Sequence, residues 1–63
     1  MPAKPKFELY KDKSDKFRFR LVAPNGETIA ASEAYNAKGS CEDGIKSVKE
    51  NAPKADVVDL TKA

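Results

Sequence analysis

Between Phe17 and Ala23 apolar and polar side chains alternate, and Pro24-Asn25-Gly26 then stops the run. Alternation at period two describes a strand with one buried face, and the tripeptide describes the turn of a β-hairpin. This stretch constrains the fold more than any other, because a one-residue slip in its pairing would flip every side chain to the wrong face. Pro24 suits the second position of a type I turn and Asn25 the third. Gly26 then takes the left-handed conformation of a three-residue loop closed by a G1 bulge. Such a loop sets Ala23 opposite Glu27, Leu21 opposite Ile29 and Phe19 opposite Ala31, with the apolar residues on one side. A two-residue Asn-Gly loop would pair Leu21 with Ala30 and put Ile29 beside the arginines. The third strand is therefore expected over residues 27–32.

The first hairpin yields to the same test. Residues 6–12 alternate, with Phe7 and Leu9 on one face and Glu8 and Tyr10 on the other. If Asp12 and Lys16 close a loop of Lys13, Ser14 and Asp15, then Leu9 faces Phe19 and Phe7 faces Leu21. On the outer face Tyr10 meets Arg18 and Glu8 meets Arg20, pairs that contribute about 0.2–1 kcal/mol each.

After Ser32 the period changes. Ala37, Cys41, Ile45, Val48 and Ala52 recur at helical spacing. Asn36 is the expected N-cap with Ser40 as its rival, and Asn51 with Pro53 marks the stop. Gly39 and Gly44 each weaken a helix by about 1 kcal/mol relative to alanine. Gly44 borders the apolar stripe, where a missing side chain lets a helix approach a sheet closely. Residues 55–60 are expected to form a fourth strand, with Val58 and Leu60 inward and Val57 leaving the phase ambiguous. The expected fold is α+β in the order β-β-β-α-β, an antiparallel sheet with one helix on one face. Residues 1–6 are expected to be a disordered leader, 7–60 a single domain and 61–63 a frayed tail.

A chain of 63 residues buries only ~60% of the surface its unfolded form exposes, so oligomerisation is a common aid at this size. Cys41 is the only cysteine, so no disulfide forms within one chain, and a reducing, cytoplasmic compartment fits. The first residues have no apolar core of the kind a signal peptide needs, and no run is long enough to span a membrane. The formal net charge of +2, from 12 basic and 10 acidic residues, describes a mixed surface and not a strongly basic nucleic-acid binder. Histidine is absent, which removes the commonest general base and the commonest metal ligand together.

The chemistry-bearing residues have structural explanations. Cys41 lies on the apolar stripe without a histidine partner and reads as a buried structural thiol. Asp12 with Asp15, and Glu42 with Asp43, lack the spacing of a metal-binding loop and suit a turn and a helix start. Ser32, Ser40 and Ser47 have no base beside them, so no hydrolase triad can be assembled. No catalytic residue, metal or cofactor is expected. Tyr10, Arg18 and Arg20 share the face away from the helix, with Lys6, Lys11 and Lys16 near its rim. A ring and guanidinium groups on an open sheet can stack on and neutralise single-stranded nucleic acid. Against that stand a single exposed aromatic and the neutralising Glu8. A solvated or partner-covered face is the preferred reading.

Phe7 to Asp12, Phe17-Arg18-Phe19-Arg20-Leu21, Asn25-Gly26-Glu27, Ser32-Glu33-Ala34-Tyr35, Gly44-Ile45-Lys46-Ser47-Val48-Lys49 and Val58-Asp59-Leu60 occur in an order that resembles the YegP-like family of small bacterial proteins of unknown function. The resemblance spans nearly everything from Phe7 to Leu60. It implies a β3-αβ unit present once or twice per chain, with single-unit members pairing as homodimers that exchange C-terminal strands. In this chain that strand would carry Val57, Val58 and Leu60. Many relatives have glycine in the first turn, where this chain has Ser14-Asp15. The resemblance brings no catalytic residues. The residues themselves point the same way on the dimer: a three-stranded sheet with one helix leaves open edges and a thin core, and exchanging residues 56–60 would cover an edge. The expected function is a non-catalytic interaction module working as a homodimer, with another protein as a further partner and no membrane contact. The alternative is weak, sequence-tolerant binding of single-stranded nucleic acid through Tyr10, Arg18, Arg20, Lys11 and Lys16.

Overall fold

The computed structural model describes residues 3–61. Three strands, β1 (Lys6–Lys11), β2 (Phe17–Val22) and β3 (Thr28–Ala31), form one antiparallel sheet in that spatial order. A 14-residue helix, α1 (Lys38–Asn51), follows, and a single 3-10 turn (Ala52–Lys54) ends it. The fold is α+β.

The first hairpin has the expected register: Phe7 faces Leu21, Glu8 faces Arg20, Leu9 faces Phe19 and Tyr10 faces Arg18. Its loop closes as expected, with the Asp12 amide donating to the Lys16 carbonyl at 2.8 Å and the Asp15 amide to the Asp12 carbonyl at 3.1 Å. Asp15 sits at φ 60°, in the left-handed region, where aspartate is among the few side chains readily tolerated. Lys6 belongs to β1 and pairs with Val22, so the ordered chain starts before the expected boundary at residue 7. The rest of the expected leader is described only from Ala3, and Met1 and Pro2 lie outside the described residues. So do Lys62 and Ala63 of the expected tail.

The second hairpin keeps its turn and departs from its register. The Ala23 amide donates to the Glu27 carbonyl at 2.8 Å and the Gly26 amide to the Ala23 carbonyl at 2.9 Å, with Gly26 at φ 90°. Val22 then faces Thr28, but a bulge follows and Leu21 faces Ala30 instead of Ile29. Arg20, not Phe19, faces Ala31. Ile29 is the residue left over and remains 60% exposed. The bulge is held from the far end of the ladder. The Ser32 amide donates to the Phe19 carbonyl at 2.9 Å, and the Ser32 hydroxyl accepts the Phe19 amide at 2.9 Å. Tyr35 then pairs with Phe17 through two backbone hydrogen bonds of 2.8 Å. These bonds set the phase beyond β3, and an extra residue absorbs the mismatch with the turn.

The core lies between the sheet and α1. Phe19 is 7% exposed and Cys41 fully buried. Phe7 meets Phe19 edge-on with ring centroids 5.9 Å apart, and Tyr35 stacks on Phe19 at 6.4 Å. Tyr35 thus covers the corner between sheet and helix. The helix starts later than Asn36: Ala37 is its N-cap, in extended conformation and without a side-chain cap. The Asn36 side-chain oxygen is already engaged by the Lys16 ammonium, and Ser40 lies inside the first turn. The stop is as expected, with the Asn51 side-chain Nδ2 donating to the Ser47 carbonyl at 2.8 Å.

Among the described residues the fourth strand is not formed. Residues 55–60 follow the 3-10 turn without sheet pairing, and Val57, Val58 and Leu60 are 97%, 73% and 87% exposed. β1 and β3 keep their outer edges, and among the described residues the segment after the 3-10 turn pairs with neither.

Candidate functional site

The sheet face away from α1 carries the polar side chains that alternate with the core. On β1 and β2 these are Glu8, Tyr10, Arg18 and Arg20, all half-buried. Arg20 Nε donates to Glu8 Oε1 at 2.6 Å, and Lys6 Nζ lies 3.3 Å from Glu8 Oε2. The hydrogen bond from Arg20, helped by that from Lys6, holds the Glu8 carboxyl below the usual range. The Arg20 guanidinium also lies 4.7 Å from the centre of the Tyr10 ring, a cation–π contact. One arginine thus ties two residues of the neighbouring strand to itself.

Arg18 is held from the first turn. Its Nε donates to Asp12 Oδ2 at 2.6 Å, while Asp12 Oδ1 accepts the backbone amides of Ser14 at 2.8 Å and Lys16 at 3.0 Å. The Arg18 hydrogen bond, then the Lys16 amide, lower the Asp12 pKa. Two tight polar clusters result, one around Glu8 and one around Asp12.

The structure brings together Tyr10, Arg18 and Arg20 on one face, and it does not bring Lys11 and Lys16 to them. Lys11 lies 5.4 Å over the Phe17 ring, and Lys16 reaches Asn36 at the start of the helix. The partnership of Asp12 with Arg18 was missed in the sequence. Its signal was available: an aspartate opening a turn commonly accepts the amide two residues on, which leaves its second oxygen for the adjoining strand.

Cys41 is a free thiol, fully buried, and burial pushes its pKa up. It has the surroundings of an inert core residue. Among the described residues no three His, Cys, Asp or Glu side chains are placed to hold a metal ion. No helix among them is long and apolar enough to cross a membrane.

A family model described as "Domain of unknown function (DUF1508)" matches residues 12–59. A UPF0339 protein of Treponema denticola is 64% identical over 55 residues, which cover 87% of this chain and 95% of the relative. UPF0339 protein YegP of Shigella flexneri is 55% identical over 47 residues, 75% of this chain but only 43% of YegP. A solution structure of a protein from Haloferax volcanii superimposes with a TM-score of 0.83 at 46% identity, covering 92% of this chain and 98% of the other. The YegP-like resemblance is borne out, and its restriction to bacteria is too narrow, because relatives include archaeal proteins. These names assign no activity to the relatives that bear them.

Proposed function

This chain belongs to the family described as a domain of unknown function (DUF1508), and from that premise we propose that it is a non-catalytic interaction module working as a two-fold dimer that exchanges residues 56–60. The observation that carries the reading is the C-terminal strip. Val57, Val58 and Leu60 are large, apolar and exposed on a segment that carries no sheet pairing. β1 and β3 are both edges of the sheet, and each offers unpaired backbone groups to an incoming strand. Burying an apolar side chain of this size contributes about 1.5–3 kcal/mol, which matters greatly in a domain this small. A strip on one copy and an edge on the other form an interface that closes under two-fold symmetry. The lone buried thiol suits the reducing cytoplasm.

Sedimentation of the full chain tests the reading against a chain truncated after Ala55 and against Leu60→Asp. The full chain is expected to be a dimer at micromolar concentration, and both variants to shift towards monomer with lower thermal stability. A folded full-length monomer at that concentration overturns the dimer.

Binding of single-stranded nucleic acid through Tyr10, Arg18 and Arg20 has less support. Arg18 is held by Asp12, and the Arg20 guanidinium lies over the Tyr10 ring that a base would stack on. Affinity for mixed-sequence oligonucleotides that falls steeply with salt, and is lost in Arg18→Ala and Arg20→Ala, would restore it.

A further inference from the structure

A recess of about 300 Å³ opens at one end of the outer sheet face. Val22, Arg20, Glu8, Lys6 and Thr28 line it from the sheet, and Lys4, Ala23, Pro24 and Gly26 are among its rim residues. Its size is at the lower end of the range for small-molecule sites. Val22 is only 6% exposed although it lies on the face opposite the helix. The apolar side chain buried there thus belongs to the recess, not to the main core.

The charges around it are uneven. Lys4, Lys6 and Arg20 face a single carboxylate, Glu8. Glu8 is already saturated by Lys6 and Arg20, and it positions both cations. Arg20 hydrogen-bonds Glu8 through Nε alone; among the described residues its terminal nitrogens make no hydrogen bond. Lys4 Nζ makes no ion pair among them either. The guanidinium of Arg20, the ammonium groups of Lys4 and Lys6 and the Thr28 hydroxyl are the donors among its lining residues, the kind of groups that hold a tetrahedral oxyanion. The excess of two positive charges matches a dianion. The short apolar wall of Val22, Ala23 and Pro24 suits a small carbon body attached to it.

We propose that this recess binds a small dianionic phosphate monoester, held by Arg20, Lys4, Lys6 and the Thr28 hydroxyl. The same phosphate chemistry could come from a nucleic-acid backbone, but a backbone diester carries a single charge and extends on both sides of the phosphorus. The half-closed recess and its charge favour the monoester.

The test is an NMR titration of the isotope-labelled full chain at constant ionic strength. The probes are inorganic phosphate, glycerol phosphate and a thymidine dinucleotide joined by one phosphodiester. Saturable shifts are expected for the first two at the amides of Glu8, Arg20, Val22, Gly26 and Thr28, with the dinucleotide at least about tenfold weaker. Lys4→Gln lies before β1 and leaves the strand pairing untouched, and Arg20→Gln keeps a donor for Glu8. Each is expected to weaken glycerol phosphate binding severalfold. The proposal is overturned by an absence of saturable shifts with either phosphate. It is also overturned by unchanged affinity in Lys4→Gln, or by equal affinity for the dinucleotide with shifts centred on Tyr10 and Arg18.

Discussion

A methyl group on Gly44 would lie 2.6 Å from the Tyr35 hydroxyl oxygen and 3.1 Å from Phe19 Cε2. The helix crosses the sheet over a position with no side chain, and two aromatic rings occupy the space a Cβ would need. Gly44→Ala sets two effects against each other. Helix propensity favours alanine by about 1 kcal/mol, whereas overpacking costs about 1–3 kcal/mol. Because Tyr35 also stacks on Phe19, its ring cannot swing away cheaply, and a net loss on the order of 1 kcal/mol is expected. Urea unfolding reads this, and adding Tyr35→Phe should recover part of the loss. Gly39 is the control: a Cβ there meets nothing within 4 Å, so Gly39→Ala should raise stability by up to about 1 kcal/mol.

Asp15 holds the first turn at φ 60°. A β-branched side chain there should cost about 1–2 kcal/mol, and Asp15→Val should unfold at correspondingly lower urea. Asp15→Gly relieves the steric strain and costs chain entropy, so its stability should stay within about 0.5 kcal/mol of the parent. A loss in Asp15→Gly as large as in Asp15→Val would mean that the carboxylate, not the backbone, matters at this turn.

Asp12 has a folded-state pKa below its ordinary value, lowered first by Arg18 and then by the Lys16 amide. A depressed carboxylate contributes stability that is complete above its unfolded value of about 3.9 and is lost as pH falls through the folded value. Glu8 acts in the same direction through Arg20 and Lys6. The urea midpoint should therefore decline on acidification below about pH 4. In Asp12→Asn the decline should be shallower and the midpoint at pH 7 lower. An unaltered acid limb in that variant would assign the acid sensitivity to other carboxylates.

Cys41 is shut away from solvent, and burial raises its pKa. Both effects suppress the thiolate that reacts. Labelling with a disulfide reagent should wait on local opening and run at least about a hundredfold slower in the native chain than in urea. Rapid native labelling would show that α1 lifts from the sheet far more often than its packing suggests.

The parts of this protein legible in the sequence depend on neighbours close along the chain. The register of Phe7 with Leu21 and of Leu9 with Phe19 follows from a tight turn and a period of two, and both are seen. The close approach at Gly44 could be placed from the helical stripe beside it. The pairing of Glu8 with Arg20 on the outer face follows from the same register. What was not legible depends on bonds between distant residues. The bulge that leaves Ile29 exposed answers to Ser32 and Tyr35 gripping β2, well beyond the turn. Lys16 engages Asn36 across 20 positions and takes it out of the capping role.

Local steric and hydrophobic rules suffice for turns, periodicity and side-chain faces, so the sequence alone determined three antiparallel strands, their first register and one helix. The tertiary structure alone decided how two segments far apart on the chain compete for one partner. It set the phase of β3, the start of α1, the burial of Val22 on the outer face and the unpaired path of residues 55–60. The physical reason is that a backbone group or an apolar side chain settles against whichever partner the whole fold brings near, and that proximity is not encoded in any local window.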